Sequence, residues 1–453
     1  KWIQMVSILS KDDYLNNFII ESYSNSDAKK YKWSDFNVIR IESSETLVYN
    51  TFSKSLVLLS WDIRHRQIED LRSDEVQILY SCNIIVNIDL DEQVKYWEIH
   101  HLLRQIEYST HAINRYNILT TTGCNARCFY CFEDGVDIKT MSSRTAEQVA
   151  TYIYNNSLNT EMVELRWFGG EPLVNYKAID IICSNLQKMG QPFYSTISSN
   201  GTLIGLPHIY NSLKKWNFKK VRLSFDGLKE EHNRRKNYPS IPDAYTVTLE
   251  NVDKLIAIGV ETSIRLTFDE NNLNDIFKVA EMLIKRYKDN KLVKVYSRCI
   301  FEKLTTIAAN NNLAQVKKLV EFKEFIDSLL FKNGLYDETK WQPIGYQPSF
   351  CAANNPNAVV IDPMGRLTSC ETITPNTQFW GDITNGVTDD NEKNRWIEIT
   401  PIKEKCKTCH FLPSCTTFSL CPNDYYDCIE RANNSYQNYL LSEFLKLSPR
   451  KND

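Results

Sequence analysis

From about Thr110 to Arg298, short runs rich in β-branched and aromatic residues alternate with stretches whose apolar positions recur at helical spacing. The candidate strands are "YNILT" at Tyr116, "VELRWF" at Val163, "FYSTISS" at Phe193, "KVRLSF" at Lys220, "TSIRLTF" at Thr262 and "VKVYSR" at Val293. Between them Ala146, Val149, Ala150 and Ile153 repeat as one helix face does, and so do Leu206, Ile209, Leu213 and Trp216. Tyr245, Leu249, Val252 and Ile256 form a third such face, which Gly259 ends. About six βα units in succession predict an α/β fold, a partial (β/α)6 TIM-type barrel whose chemistry sits at the C-terminal strand ends.

The pattern changes on both sides of this region. Residues 1–105 contain "NVIRIESSETLVYNTFSKSLVLLS", two alternating runs around a turn-rich "NTFSKS", followed by a helix-like stretch from Ile63 to Cys82. A small β-hairpin plus helix module is expected there. Residues 106–300 hold the barrel, 301–346 read as a helical linker, and 347–453 are short-stranded and cysteine-rich.

Charge and hydropathy narrow the function classes. Hydrophobic residues make up 42% of the 453, and the formal net charge of −3 gives no overall field for nucleic acid or anionic lipid. Apolar runs such as "SLVLLSW" are too short to span a bilayer, and a cytoplasmic setting is expected, with neither nucleic acid nor membrane as partner. Thirteen cysteines, mostly at CxxC-type spacing in so long a chain, point to metal binding rather than a disulfide framework. Cys82, Cys183 and Cys299 stand apart in apolar surroundings and are expected to be buried core thiols.

Directly after the first strand comes "TTGCNARCFYCFEDG", with Cys124, Cys128 and Cys131 on one loop. Three thiolates fall one short of a structural zinc site, whereas on a 4Fe-4S cluster they leave one iron open to a small molecule; both readings stand on spacing alone. "FGGEP" follows the second strand, "SSNGTL" the third and "LSFDG" the fourth. Gly169 and Gly170 permit close backbone approach, Glu171 offers a carboxylate, and Asn200, Ser224 and Asp226 set polar groups at strand ends where a cleft forms.

These motifs, with Tyr130 just before the last cysteine, resemble those of the radical S-adenosylmethionine (SAM) superfamily. The resemblance implies that Cys124, Cys128 and Cys131 hold a 4Fe-4S cluster that cleaves SAM to a 5'-deoxyadenosyl radical. Gly169, Gly170, Glu171, Asn200, Ser224 and Asp226 would then bind SAM, with Tyr130 beside them. The SAM carboxylate would meet Arg235, in "EHNRRKN", or Arg265 on the fifth strand; by count, a lysine stands where the family places the arginine.

Seven further cysteines, Cys351, Cys370, Cys406, Cys409, Cys415, Cys421 and Cys428, could by spacing hold two zincs or two clusters. Their order resembles the SPASM extension of radical SAM enzymes, except that five residues separate Cys415 from Cys421. That resemblance assigns Cys351, Cys370 and Cys421 to one auxiliary cluster and Cys406, Cys409, Cys415 and Cys428 to another, three 4Fe-4S clusters in all. The fourth ligand of the first auxiliary cluster stays open between a substrate cysteine, water and a distant residue such as Cys299. His410, beside Cys409, is expected to be a loop histidine.

Barrel and extension together resemble maturases of ribosomally made peptides, related to sactisynthases and ranthipeptide synthases. The resemblance implies a precursor peptide whose leader docks on a winged-helix-like N-terminal module by strand addition, a flavodoxin- or ferredoxin-type electron donor, and crosslink formation, thioether above carbon–carbon. The competing readings are an anaerobic sulfatase-maturase-like side-chain oxidase and, from another class, a zinc-stabilised peptide-binding protein without catalysis.

Overall fold

A computed structural model describes residues 5–23, 30–109, 112–159, 161–300, 313–337, 345–349, 351–397 and 409–414, with 436, 437, 439–441, 443, 444 and 447. The N-terminal region contains β1 (Val6–Ser10), α1 (Asp13–Tyr23), β2 (Tyr31–Trp33), β3 (Asn37–Glu42), β4 (Glu45–Asn50), β5 (Leu56–Leu59), α2 (Ser73–Ser81), β6 (Ile85–Asn87) and α3 (Glu92–Glu107). Strands β1-β5-β4-β3 form an antiparallel sheet, and β2 pairs with β6.

This differs from a single hairpin. The "ESSE" stretch makes a turn of its own, with Ser43 at φ 58°, so the first alternating run is two strands and the sheet is a meander. The expected helix after it is also interrupted. Asp62 accepts from the Arg64 amide at 2.9 Å and caps a 3-10 turn, a second 3-10 turn covers Ile68–Asp70, and Glu75 pairs with Arg66 at 2.7 Å where α2 begins.

Six strands form the centre, β7 (Arg115–Leu119), β8 (Val163–Phe168), β9 (Phe193–Ser198), β10 (Phe218–Phe225), β11 (Glu261–Phe268) and β12 (Val293–Cys299). They lie side by side in chain order and are all parallel, as the pattern predicts for a partial barrel. The helices between them are α4 (Ser143–Asn156), α5 (Tyr176–Met189), α6 (Pro207–Tyr210), α7 (Lys229–Lys236), α8 (Ala244–Ala257) and α9 (Leu273–Tyr287).

Ala146, Val149, Ala150 and Ile153 of α4 are fully buried against the sheet, where each large side chain contributes about 1.5–3 kcal/mol. Ser142 caps that helix by accepting from Thr145 N at 3.1 Å. Gly259, at φ 78°, follows α8 as its periodicity predicts. The stretch from Leu206 to Trp216 is helical only over Pro207–Tyr210. Beyond it, Ser212 and Leu213 bond to the third carbonyl back, tightening the chain into turns while Ile209, Leu213 and Trp216 stay buried.

The sheet continues past its first strand. β13 (Ala358–Ile361) runs parallel to β7, Ala358 against Arg115, and leads into antiparallel β14 (Arg366–Thr368), β15 (Gly381–Asp382) and β16 (Gly386–Val387). A helix over Leu313–Lys332 covers β12, with Phe322 on Phe268 and Asp327 accepting from Ser297 Oγ at 2.7 Å. Helix α3 ties the two flanking regions together. Arg104 donates to the carbonyls of Pro348, Asn354 (3.0 Å) and Ile397 (3.2 Å), and Tyr108 donates to Ser349 Oγ at 2.6 Å. Among the described residues no helix is long and apolar enough to cross a membrane.

Candidate active site

The cysteine loop leaves the C-terminal end of β7 and is closed at its base. Thr121 bridges to Thr140, Met141 N donates to Thr120 O at 2.9 Å, and Thr122 N donates to Lys139 O at 3.0 Å. Cys124, Cys128 and Cys131 are half-buried free thiols within this loop. Cys131 N donates to Cys128 O at 3.1 Å, and Ala126 N to Cys124 Sγ at 3.4 Å. Burial raises all three thiol pKa values, Cys124 to about 12, and neighbouring carboxylates and thiols add to it. Among the described residues, no three His, Cys, Asp or Glu side chains are gathered to hold a single metal ion.

The loop rests on the turn after β8. A Cβ on Gly169, which sits at φ 115°, would lie 2.3 Å from Thr121 O, and one on Gly170 would lie 2.4 Å from Gly123 O. Both glycines are needed for this approach. Gly170 N donates to Thr121 O at 3.1 Å and Glu171 N to Gly123 O at 3.0 Å. The close backbone approach expected of the glycines is therefore made to the cysteine loop.

Glu171 is fully buried. Its carboxylate accepts from Asn200 N at 2.7 Å, Ser199 Oγ at 2.9 Å and Leu173 N at 3.2 Å, so its oxygens are engaged within the protein. Burial nevertheless pushes its pKa up to about 7. Asn200 in turn donates to Asn125 Oδ1 at 2.7 Å and lies 3.8 Å from Cys124 Sγ. Three successive strand ends are thus locked to one another.

At the end of β10, Tyr130 OH donates to Asp226 Oδ2 at 2.5 Å, and Lys236 Nζ donates to Ser224 Oγ at 2.7 Å, 3.5 Å from Asp226 Oδ1. Lys236 opposes the burial-driven rise of the Cys128 thiol, which sets it beside the loop. Arg235 is buried beside it. It pairs with Asp269 at 3.1 Å, has Nε 3.8 Å from Asp226 Oδ2 and lies over the Phe129 ring at 4.8 Å. Both cations of α7 therefore reach the strand end, Lys236 on Ser224 and Asp226, Arg235 on Asp269 and Asp226. The lysine in "RRKN" was the signal, and Asn125, inside the cysteine motif itself, carried none. Arg265 is half-buried on β11, with Nε donating to Thr267 Oγ1 at 3.1 Å.

In the C-terminal region, Cys370 is half-buried and raised to about 11, by burial first and then by neighbouring groups that include Cys351, which is itself exposed. Cys409 is half-buried, while Cys406, Cys415, Cys421 and Cys428 lie outside the described residues. Cys82, Cys183 and Cys299 are buried, as their surroundings predict. Cys299 pairs with Phe268 and so shares the helix-facing side of the sheet, away from the loop thiols.

Residues 118–283 match the model of the Radical SAM superfamily. Among curated proteins, the GTP 3',8-cyclase of Petrotoga mobilis is 28% identical over 183 residues, 40% of this chain and 50% of the relative. The Fe-coproporphyrin III synthase of Methanosarcina barkeri is 22% identical over 210 residues, 46% of this chain and 49% of the relative. The chain thus spans about half the length of these curated relatives. Among solved structures, anSMEcpe with bound AdoMet and Kp18Cys peptide superposes with a TM-score of 0.53 at 18% identity, over 74% of this chain and 98% of that one. Streptococcus suis SuiB gives 0.51 at 13% identity, over 88% and 99%. Residues 118–283 are thus similar to the Radical SAM superfamily, and the fold is similar to those of anSMEcpe and SuiB.

Proposed function

We propose that this protein is a radical SAM enzyme that modifies a ribosomally made precursor peptide, joining side chains by a thioether. The observation that carries the reading is the loop of three free thiols at the strand ends, held against Gly169–Glu171. The donor set fits a cluster. Three neighbouring thiols on one loop, each with its pKa raised by burial, are stabilised as thiolates by a strongly cationic partner. Cys124, Cys128 and Cys131 would hold a 4Fe-4S cluster, which would supply the electron that cleaves SAM and so the radical that takes a hydrogen atom from a substrate carbon; the carbon–sulfur bond would then form with loss of the thiol proton and of one electron, for which the auxiliary clusters would be the acceptor.

The chain's own residues bind and orient. Gly170 and Glu171 would carry the backbone beside the SAM amino group, Asn200, Ser224 and Asp226 would line the SAM side, and Arg235, Lys236 or Arg265 would meet its carboxylate. Tyr130 is held by Asp226, which fixes the ring next to Cys131. In the C-terminal region, residues 347–453, Cys351, Cys370 and Cys421 hold one auxiliary cluster, and Cys406, Cys409, Cys415 and Cys428 the other. The effect of Cys351 on the Cys370 thiol supports the first of these sets.

Residues 1–105 take the leader of the precursor by strand addition, residues 301–346 link the barrel to the auxiliary domain, and a flavodoxin- or ferredoxin-type protein supplies electrons in the cytoplasm. Streptococcus suis SuiB, of the same fold, has been solved with its precursor peptide SuiA, which supports a peptide as the substrate class. Iron, sulfide and zinc analysis of protein reconstituted without oxygen tests the reading: about 12 irons per chain are expected. Zinc without iron would replace it with a zinc-stabilised binding protein.

A further inference from the structure

The inner face of the barrel carries two arginines, Arg222 and Arg265, that form no ion pair among the described residues. On β10, Val221 and Leu223 are buried against the helices, so Arg222 faces the other way; on β11, Ile264 and Leu266 do the same and turn Arg265 inward. Along β8 and β9 every second residue on that inner face, Glu164 through Ser198, is half-buried while its neighbours are closed off. Solvent therefore reaches side chains of the inner face.

Register sets the two arginines together. Arg222 lies opposite Ser198 on one side and Ser263 on the other, and Arg265 lies opposite Ser224, two residues nearer the strand end. They are diagonal neighbours on one face, roughly 7–8 Å apart at the backbone. Arg222 gives Ser198 Oγ only a long contact of 3.4 Å, and its buried Nε has no hydrogen-bond partner. Among the described residues neither arginine forms an ion pair.

The acids of the same face are already engaged. Glu164 is 2.8 Å from Arg115 and 3.8 Å from Arg166, Glu261 is 2.7 Å from Lys220, buried Asp337 accepts from Ser263 Oγ at 2.7 Å and lies 3.6 Å from Lys220, and Asp226 is held by Tyr130, Lys236 and Arg235. A half-buried guanidinium with a free edge is costly unless an anion meets it, and its planar fork suits a carboxylate. SAM brings one carboxylate, for which Lys236 and Arg265 stand nearer the cysteine loop. Arg222 lies one pleat deeper.

We propose that Arg222 forms a carboxylate subsite on the barrel floor that takes an acidic side chain of the substrate peptide beside the reacting residue. This rests on the peptide-modifying reading above. The probes are four pentapeptides, acetyl-Gly-Gly-X-Gly-Gly-amide with X as Glu, Asp, Gln or Asn, titrated with SAM present into anaerobically reconstituted full-length protein and followed by ligand-observed NMR. The Glu or Asp peptide is expected to bind about fivefold or more tighter than its amide counterpart, a preference that weakens with salt, disappears in Arg222→Gln and survives in Arg222→Lys.

Equal binding of acid and amide peptides overturns the proposal, and so does a preference that Arg222→Gln leaves intact. If Arg222→Gln instead weakens SAM about tenfold while sparing the peptide preference, the carboxylate is that of SAM and the proposal falls. 5'-Deoxyadenosine release, measured on the same samples, separates the two levels. Its absence defeats the enzyme reading, whereas its presence without carboxylate preference defeats this subsite alone.

Discussion

Gly170 has no room for a side chain, since a Cβ would meet the Gly123 carbonyl oxygen at 2.4 Å. Gly170→Ala is therefore expected to push the cysteine loop away from β8, and iron retained after reconstitution should fall by about half or more, read by iron analysis and visible absorbance. Full retention would show that the loop does not depend on this contact. Arg235 and Lys236, adjacent in sequence, separate by the same kind of argument. Arg235→Met strands buried Asp269 and should cost about 3–5 kcal/mol in urea unfolding, whereas Lys236→Gln should weaken SAM about tenfold in equilibrium binding. At this scale the sequence showed the cysteines and strand-end motifs because spacing defines them. It did not show which partners the two adjacent cations take, because that depends on where α7 ends, at Asn237 in the left-handed region.

Elements with a buried face were legible wherever one face stayed buried along the whole element. All six barrel strands and α4 and α8 stand where alternation and helical spacing place them, and Ile153→Ala, in the fully buried stripe of α4, should cost about 2–5 kcal/mol of stability by denaturant titration. Elements decided by local polar capping were not. Asp62 and Glu75 break the stretch after β5, and Ser43 splits an apparently continuous strand.

Helix α3 provides a pH test. Buried Glu92 accepts from Ser34 Oγ and Asp35 N, each at 2.6 Å, and burial pushes its carboxyl from 4.5 up to about 7. The folded state then favours protonated Glu92, so its contribution is fully present below about pH 4.5 and is lost as pH rises through about 7. Between pH 5 and 8.5 the thermal midpoint should fall by a few degrees more in the wild type than in Glu92→Gln. Parallel profiles would mean that Glu92 is ionised throughout.

Across the whole molecule, the sequence separated the chain into regions but not their joins. The parallel pairing of Ala358 with Arg115 and the clasp of Arg104 on Asn354 and Ile397 link segments more than 200 residues apart, and no periodicity encodes such partners. The surplus of arginine inside the barrel was written in the strand alternation, yet its meaning depends on which acids the register brings alongside. What makes the account coherent is that the thiols, the glycine turn, the locked strand ends and the polar inner face all open at one edge of one parallel sheet. The most direct measurement is 5'-deoxyadenosine formed from SAM by anaerobically reconstituted, chemically reduced protein. The account predicts steady release by the wild type and a loss of about 100-fold or more in each of Cys124→Ala, Cys128→Ala and Cys131→Ala. Undiminished release by any one of them would contradict it.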